Sequence, residues 1–299
     1  MALPTDPADL AKFGNLELVA RQLVEGLMMG RHRSPFKGAS VEFVEHREYS
    51  PGDEIRHIDW RAYGKTGRYH VKEFEDETNL RCHLLVDASG SMAYAGASVS
   101  KFRYAALLAS SLAWLLLRQR DSVGLLTFDA AIRDQLRPSS SRDMFQRITR
   151  VLEQTRPGTE TGLAAVIESV LPSIARRSLL ILISDCFDSP DALERSLQRC
   201  RHAGHEVIVF RIAAAEETTF DFQRPTQFRD MEDSDHRMLV DPVRLRHDYL
   251  SQYNQFFQKL ENVCTGSGID YRTLLTSDPL QDSLGHWLAE RQSRRTGFR

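Results

Sequence analysis

Three short stretches carry oxygen donors at spacings that could hold a hard cation. DASGSM, residues 87–92, ends an apolar run with Asp87, Ser89 and Ser91 at alternate positions. RPGTETG, residues 156–162, offers Thr159, and ISDCFD, residues 183–188, offers Asp185 at the end of the most apolar run in the chain. Two carboxylates and several hydroxyls, with no His or Cys required, suit Mg2+, which takes oxygen ligands near-octahedrally and keeps several waters. Mn2+ or Ca2+ would suit the same donors. A coordination place left to water can be taken by an incoming carboxylate, so the set reads as a docking point for an acidic side chain of a protein partner. The plainer reading of Asp87, Ser89 and Ser91 alone is a helix-capping cluster. Adding Thr159 and Asp185 at the same sheet edge favours a metal site.

The elements around these stretches say how they would be brought together. RCHLLVD (81–87), SVGLLTF (122–128), SLLILIS (178–184) and EVIVFRI (206–212) read as core strands. Helical stretches at 101–118, 143–154, 161–174 and 190–202 separate them. Continuous apolar strands between helices mark a parallel sheet covered on both faces, and ligands gather beyond the carboxyl ends of its strands. Residues 216–241 look irregular and acidic, with a short strand at 238–240. A helix at 243–264, a strand near 269–274 and a helix at 279–291 follow. The expected class is α/β, a mostly parallel sheet flanked by helices, with a small N-terminal β-containing attachment. The expected division is a helical segment at 1–35, a β-rich attachment at 36–78 and the α/β domain with its C-terminal helices at 79–299.

A formal net charge of −2 with acids and bases interspersed argues against nucleic-acid binding. The 4 cysteines lie far apart with no CxxC pair, which suits a reducing compartment better than a disulfide framework or a zinc site. The best candidate for a membrane span, residues 104–117, is too short and holds two serines. The first residues lack the pattern of a signal peptide. A cytoplasmic protein is expected.

DASGS, GTETG and LISD resemble the three pieces of the metal-ion-dependent adhesion site of von Willebrand factor A-type domains. The resemblance places Asp87, Ser89 and Ser91 in the Asp-x-Ser-x-Ser element, Thr159 in the threonine loop and Asp185 as the distal aspartate. It implies that the serines and Thr159 ligate largely directly and the aspartates partly through water. It also implies a von Willebrand factor A-like, Rossmann-like fold. The preceding EYSPGDEIRHIDWRAYGKTGRYHVKEFEDE and the later IDYRTLLTSDPL are similar to the bacterial domain-of-unknown-function family 58, over roughly residues 30–290. Many members of that family carry membrane segments. By context the family is similar to partners of MoxR-type AAA+ ATPases, which implies a chaperone-like or assembly role.

Other candidates fall away. GKT at residues 64–66 has Asp59 where a phosphate loop needs glycine, and a strand-like stretch follows where a helix is required. His46, His57, His70 and His83 are too widely spread for a ligand cluster. Cys186 lies between Asp185 and Asp188, whose charges would blunt its thiol. In the Tyr49–Trp60 segment an ion pair, Arg56 with Asp59 or Asp53 with Arg61, and a buried Trp60 anchor are expected. No general base accompanies the oxygen cluster and no GxSxG elbow is present, so the expectation is a non-catalytic, Mg2+-dependent interaction module. A scaffold with a vestigial metal site and a metal-dependent phosphoesterase are the alternatives.

Overall fold

The computed structural model describes residues 15–29, 40–48, 60, 63–64, 67–77, 80–158, 160–229, 231 and 237–296. The chain divides into two compact units, residues 36–80 on one hand and 1–35 with 81–299 on the other. The first helix, α1 (Leu16–Met29), belongs to the larger unit.

In the smaller unit β1 (Ser40–Glu48) and β2 (His70–Glu77) pair antiparallel, with a register shift between Phe43 and Glu45. Trp60 is not the buried anchor expected from the sequence. It is 59% exposed, and among the described residues the rings of Tyr63 and Tyr69 lie near it in edge-to-face geometry, at 6.3 and 6.5 Å. Tyr63 and Tyr69 stack on each other at 4.4 Å instead. A unit this small has little interior in which to enclose an indole. The ion pairs expected at residues 53–61 and the Pro51-Gly52 turn lie outside the described residues.

The larger unit is built on a six-stranded sheet whose order is β10-β7-β6-β3-β4-β5. Its strands are β3 (Arg81–Asp87), β4 (Ser122–Phe128), β5 (Ile132–Ser139), β6 (Leu179–Ser184), β7 (Glu206–Ala213) and β10 (Asp270–Leu275). A separate pair, β8 (Thr226–Arg229) and β9 (Arg237–Val240), runs antiparallel. All neighbours in the large sheet are parallel except β4 and β5. The edge strand β5 falls where no element is evident in the sequence. Its residues are mostly exposed, so no apolar alternation announces it.

The helices are α2 (Lys101–Arg118), α3 (Met144–Gln154), α4 (Leu163–Val170), α5 (Pro190–His202), α6 (Ala215–Thr219), α7 (Pro242–Gly266) and α8 (Leu280–Thr296). Leu85, Leu180, Leu182, Val207 and Val209 form one sheet face and pack with Val166 of α4, Leu197 of α5 and Phe257 of α7. The alternate residues, among them Leu84, Val86, Ile181 and Phe210, are equally buried, and α2 lies against β3, β4, β6 and β7. Helix α1 packs on α2, α3 and α8, where the Leu16 N–H donates to Glu153 Oε1 at 2.7 Å and the Arg21 guanidinium lies 4.5 Å from the Trp114 ring. Among the described residues no helix is long and apolar enough to cross a membrane.

His83 gives this core a pH dependence. Burial first, then the neighbouring His205 and Arg81, lower its imidazole from 6.5 to about 4. The unfolded chain therefore takes up a proton that the folded chain refuses, and stability falls as pH drops from 6.5 towards 4. Allowing for the ring's partial exposure, His83→Gln should remove about 1–2 kcal/mol of that loss. Urea titrations at both ends of the window check this; an unchanged pH slope would rule it out.

Candidate functional site

The chain leaves β3 towards β4 and β5 on one side and returns through β6, β7 and β10 on the other. Where strand order reverses in this way, successive loops part and leave a crevice beyond the carboxyl ends of the strands. The two strands at that point, β3 and β6, end in Asp87 and Ser184, with Asp185 next.

The β3 loop is held from within. The Ser89 N–H donates to Asp87 Oδ1 at 2.8 Å, and the hydroxyls of Ser89 and Ser91 lie 3.2 Å apart. From β6, Ser184 Oγ donates to Asp87 Oδ2 at 2.5 Å and accepts the Cys186 N–H at 2.9 Å. Cys186 takes a left-handed φ of 61°, and the following Phe187 N–H reaches back to Asp185 Oδ1 at 3.3 Å. Asp87, Ser89, Ser184 and Asp185 are all buried. Asp87, Ser89 and Ser91 thus share the β3 loop, and Asp185 directly follows the Ser184 that bonds Asp87. Thr159 lies outside the described residues, although its predecessor is placed: the Gly158 N–H donates to Ala88 O at 2.7 Å. Asp188 is engaged elsewhere, accepting the Ala164 N–H at the start of α4 at 2.9 Å.

Close packing of backbone explains the glycine between the two serines. A Cβ at Gly90 would stand 2.5 Å from Met231 O and 3.1 Å from Gly158 O. At Gly158 it would meet Asp129 Oδ2 at 2.5 Å.

Three participants carry no signal that sequence reading picked up. Ser184 looks like the last residue of an apolar strand. Lys101, the first residue of α2, is 1% exposed and its Nζ donates to Asp185 Oδ2 and Glu217 Oε1, both at 2.7 Å. Burial works against its charge, but the two carboxylates hold its ammonium above the ordinary lysine value. A lysine at a helix N-terminus, where the helix dipole favours anions, was the available hint. Glu217 lies in the short α6 and also accepts the Ala214 N–H at 2.8 Å, while its neighbour Glu216 accepts the Ala97 N–H at 2.7 Å. Phe187 stands at the rim, 38% exposed, with its ring against Phe256 and Phe257 and 5.7 Å from Lys101 Nζ.

Electrostatics set Asp87 apart. Burial and then the charge of Asp185 push its carboxyl up to about 7, against the hydrogen bonds from Ser184 and Ser89. The Cys186 thiol is raised well above its usual range, first by burial and then by Asp185, so it is a poor nucleophile.

The donor chemistry fits a hard cation. Two ligands at right angles on an octahedral Mg2+ lie about 3 Å apart, and Ser89 and Ser91 Oγ meet that spacing at 3.2 Å. Among the described residues no group of three or more His, Cys, Asp or Glu could hold a metal, so the hydroxyls are indispensable to any such site.

A mostly parallel sheet with one antiparallel edge strand, and an Asp-x-Ser-x-Ser loop after its first strand, define a von Willebrand factor A-like α/β protein. The chain belongs to the family described as Protein of unknown function DUF58, whose model matches residues 45–256. It is similar to Uncharacterized protein Rv1480 of Mycobacterium tuberculosis, 28% identical over 210 residues, 69% of this chain. The matched region spans 66% of that relative's length. Among solved structures, an aerotolerance-related membrane protein from Bacteroides fragilis shares the fold at 15% identity and a TM-score of 0.50, covering 72% of this chain and 99% of that one. The BatB protein of Bacteroides thetaiotaomicron aligns at 17% identity with a TM-score of 0.48, covering 72% and 99%.

Proposed function

We propose that the chain is a non-catalytic protein-interaction module that uses Mg2+ at Asp87, Ser89, Ser91, Thr159 and Asp185 to receive an acidic side chain of its partner. The observation that supports this most is the meeting of two buried carboxylates with two hydroxyls at adjacent strand ends. Such donors leave room for water on the ion, and a carboxylate can take that place. Among the described residues His83 lies towards the far end of β3 and the Cys186 thiol is held protonated, so neither of these two serves the cluster as base or nucleophile, and Asp87 is assigned to the ion. The aromatic rim at Phe187 would lie beside the arriving acid.

The family resemblance makes a MoxR-type AAA+ ATPase the first partner to try, in a chaperone-like assembly role. The test compares binding of that ATPase, and capture of partners from lysate followed by mass spectrometry, with Mg2+, with chelator, and with Ser89→Ala. Chelator and the substitution should each weaken capture on the order of tenfold or more. Equal capture under all three conditions defeats the proposal. Metal-stimulated turnover of a phosphoester, abolished by Asp185→Ala, would replace it with the hydrolase reading.

A further inference from the structure

Lys101 is buried as lysines seldom are unless paired, and it sits where a helix disfavours a cation. One carboxylate would balance its charge, yet its ammonium spans two, Asp185 after β6 and Glu217 in α6. We infer that Lys101 and Glu217 set the charge of the site, and so decide how tightly it holds a dication and whether it then accepts an anion. The inference rests on the cation-site reading above.

With an ion bound and Asp87 ionised as its ligand, Asp87, Asp185 and Glu217 supply three carboxylates against one ammonium. A dication brings these four groups to neutrality, and an arriving carboxylate meets no net repulsion. Without Lys101 one negative charge remains after the ion binds. The ion is then held more tightly, and an acid is turned away. Glu217 acts in the opposite sense. It is a positioning residue: among the described residues it reaches the site through Lys101, and it fastens α6 to that side chain. The pair thus works as a specificity determinant: it moderates the grip on the metal so that an acidic visitor is accepted.

Two isosteric substitutions test this on the full chain. Mn2+ binding is measured by electron paramagnetic resonance. Acetate binding to the loaded site is measured by the loss of Mn2+-bound water in proton relaxation, with acetamide as the neutral control. A unit charge removed close to a partly desolvated ion changes affinity on the order of tenfold. Lys101→Met should bind Mn2+ about tenfold more tightly and acetate about tenfold more weakly. Glu217→Gln, which keeps an acceptor for Lys101, should shift both affinities the other way. Structural damage would lower both affinities in both variants, and that result overturns the inference, as would two variants indistinguishable from the wild type. A wild-type chain that takes up no Mn2+ would overturn the cation-site reading itself, a result distinct from either.

Discussion

Asp87→Asn is expected to make the metal-free protein more stable while abolishing its response to Mg2+. The wild-type carboxyl is buried against Asp185 and is pushed up from 3.8 to about 7, so folding favours its protonated form. The stability linked to that proton is full in acid and is lost as pH rises through about 7. Asn carries no charge. Its carbonyl can still accept the Ser89 N–H, and its amide can donate to Ser184 Oγ. Above neutrality, in chelator, the variant should gain about 2 kcal/mol, or about 4 °C in Tm. Saturating Mg2+ should stabilise the wild type by about 3 kcal/mol at a hundredfold excess over Kd and leave the variant unmoved. Thermal unfolding with and without the ion decides both points. A variant no more stable in chelator would show that the buried charge is already compensated, and a surviving Mg2+ response would remove Asp87 from the ligand set.

Gly90→Ala should cost the site its geometry at nearly constant size. The added methyl would fall 2.5 Å from one backbone carbonyl and 3.1 Å from another, those of Met231 and Gly158, and backbone cannot yield as a flexible side-chain tip can. Moving Gly158 moves the loop that carries Thr159. A loss of about 2–4 kcal/mol is expected, together with loss of Mg2+-dependent stabilisation, while far-UV circular dichroism stays native. Gly266→Ala, at the end of α7 with open space around it, is the control and should change stability by less than about 0.5 kcal/mol. Equal behaviour of the two variants would show that the β3 loop adapts freely.

Much of this was legible because burial and chemistry leave the same trace. Strands β3, β4 and β6 run through apolar, buried stretches before they end, so a carboxylate or hydroxyl at their ends stands out, and Asp87 and Asp185 could be picked out on that ground. Helix α2 announced itself by the length of its apolar run; the structure adds its Ser100 cap, whose side chain accepts the Arg103 N–H. What stayed hidden had no such contrast. Edge strand β5 carries Arg133, Asp134 and Arg137 on mostly exposed positions and so reads as a loop. Helix α6 is a single turn, and its Glu216 and Glu217 look like surface acids until the fold turns them onto Ala97 and Lys101. Lys101 itself passes for an ordinary polar start to an apolar helix. Its partners lie far along the chain, and local spacing cannot reveal them.

The three tryptophans occupy unlike surroundings: Trp60 faces water in the smaller unit, whereas Trp114 and Trp287 lie in the larger one beside Arg21 and Phe210. Emission from Trp60 should therefore be red-shifted and open to quenching by iodide or acrylamide, and that of Trp287 blue-shifted and shielded. A single optical measurement can thus follow each unit separately, so that melting of one, or a ligand settling on one, is seen without labels.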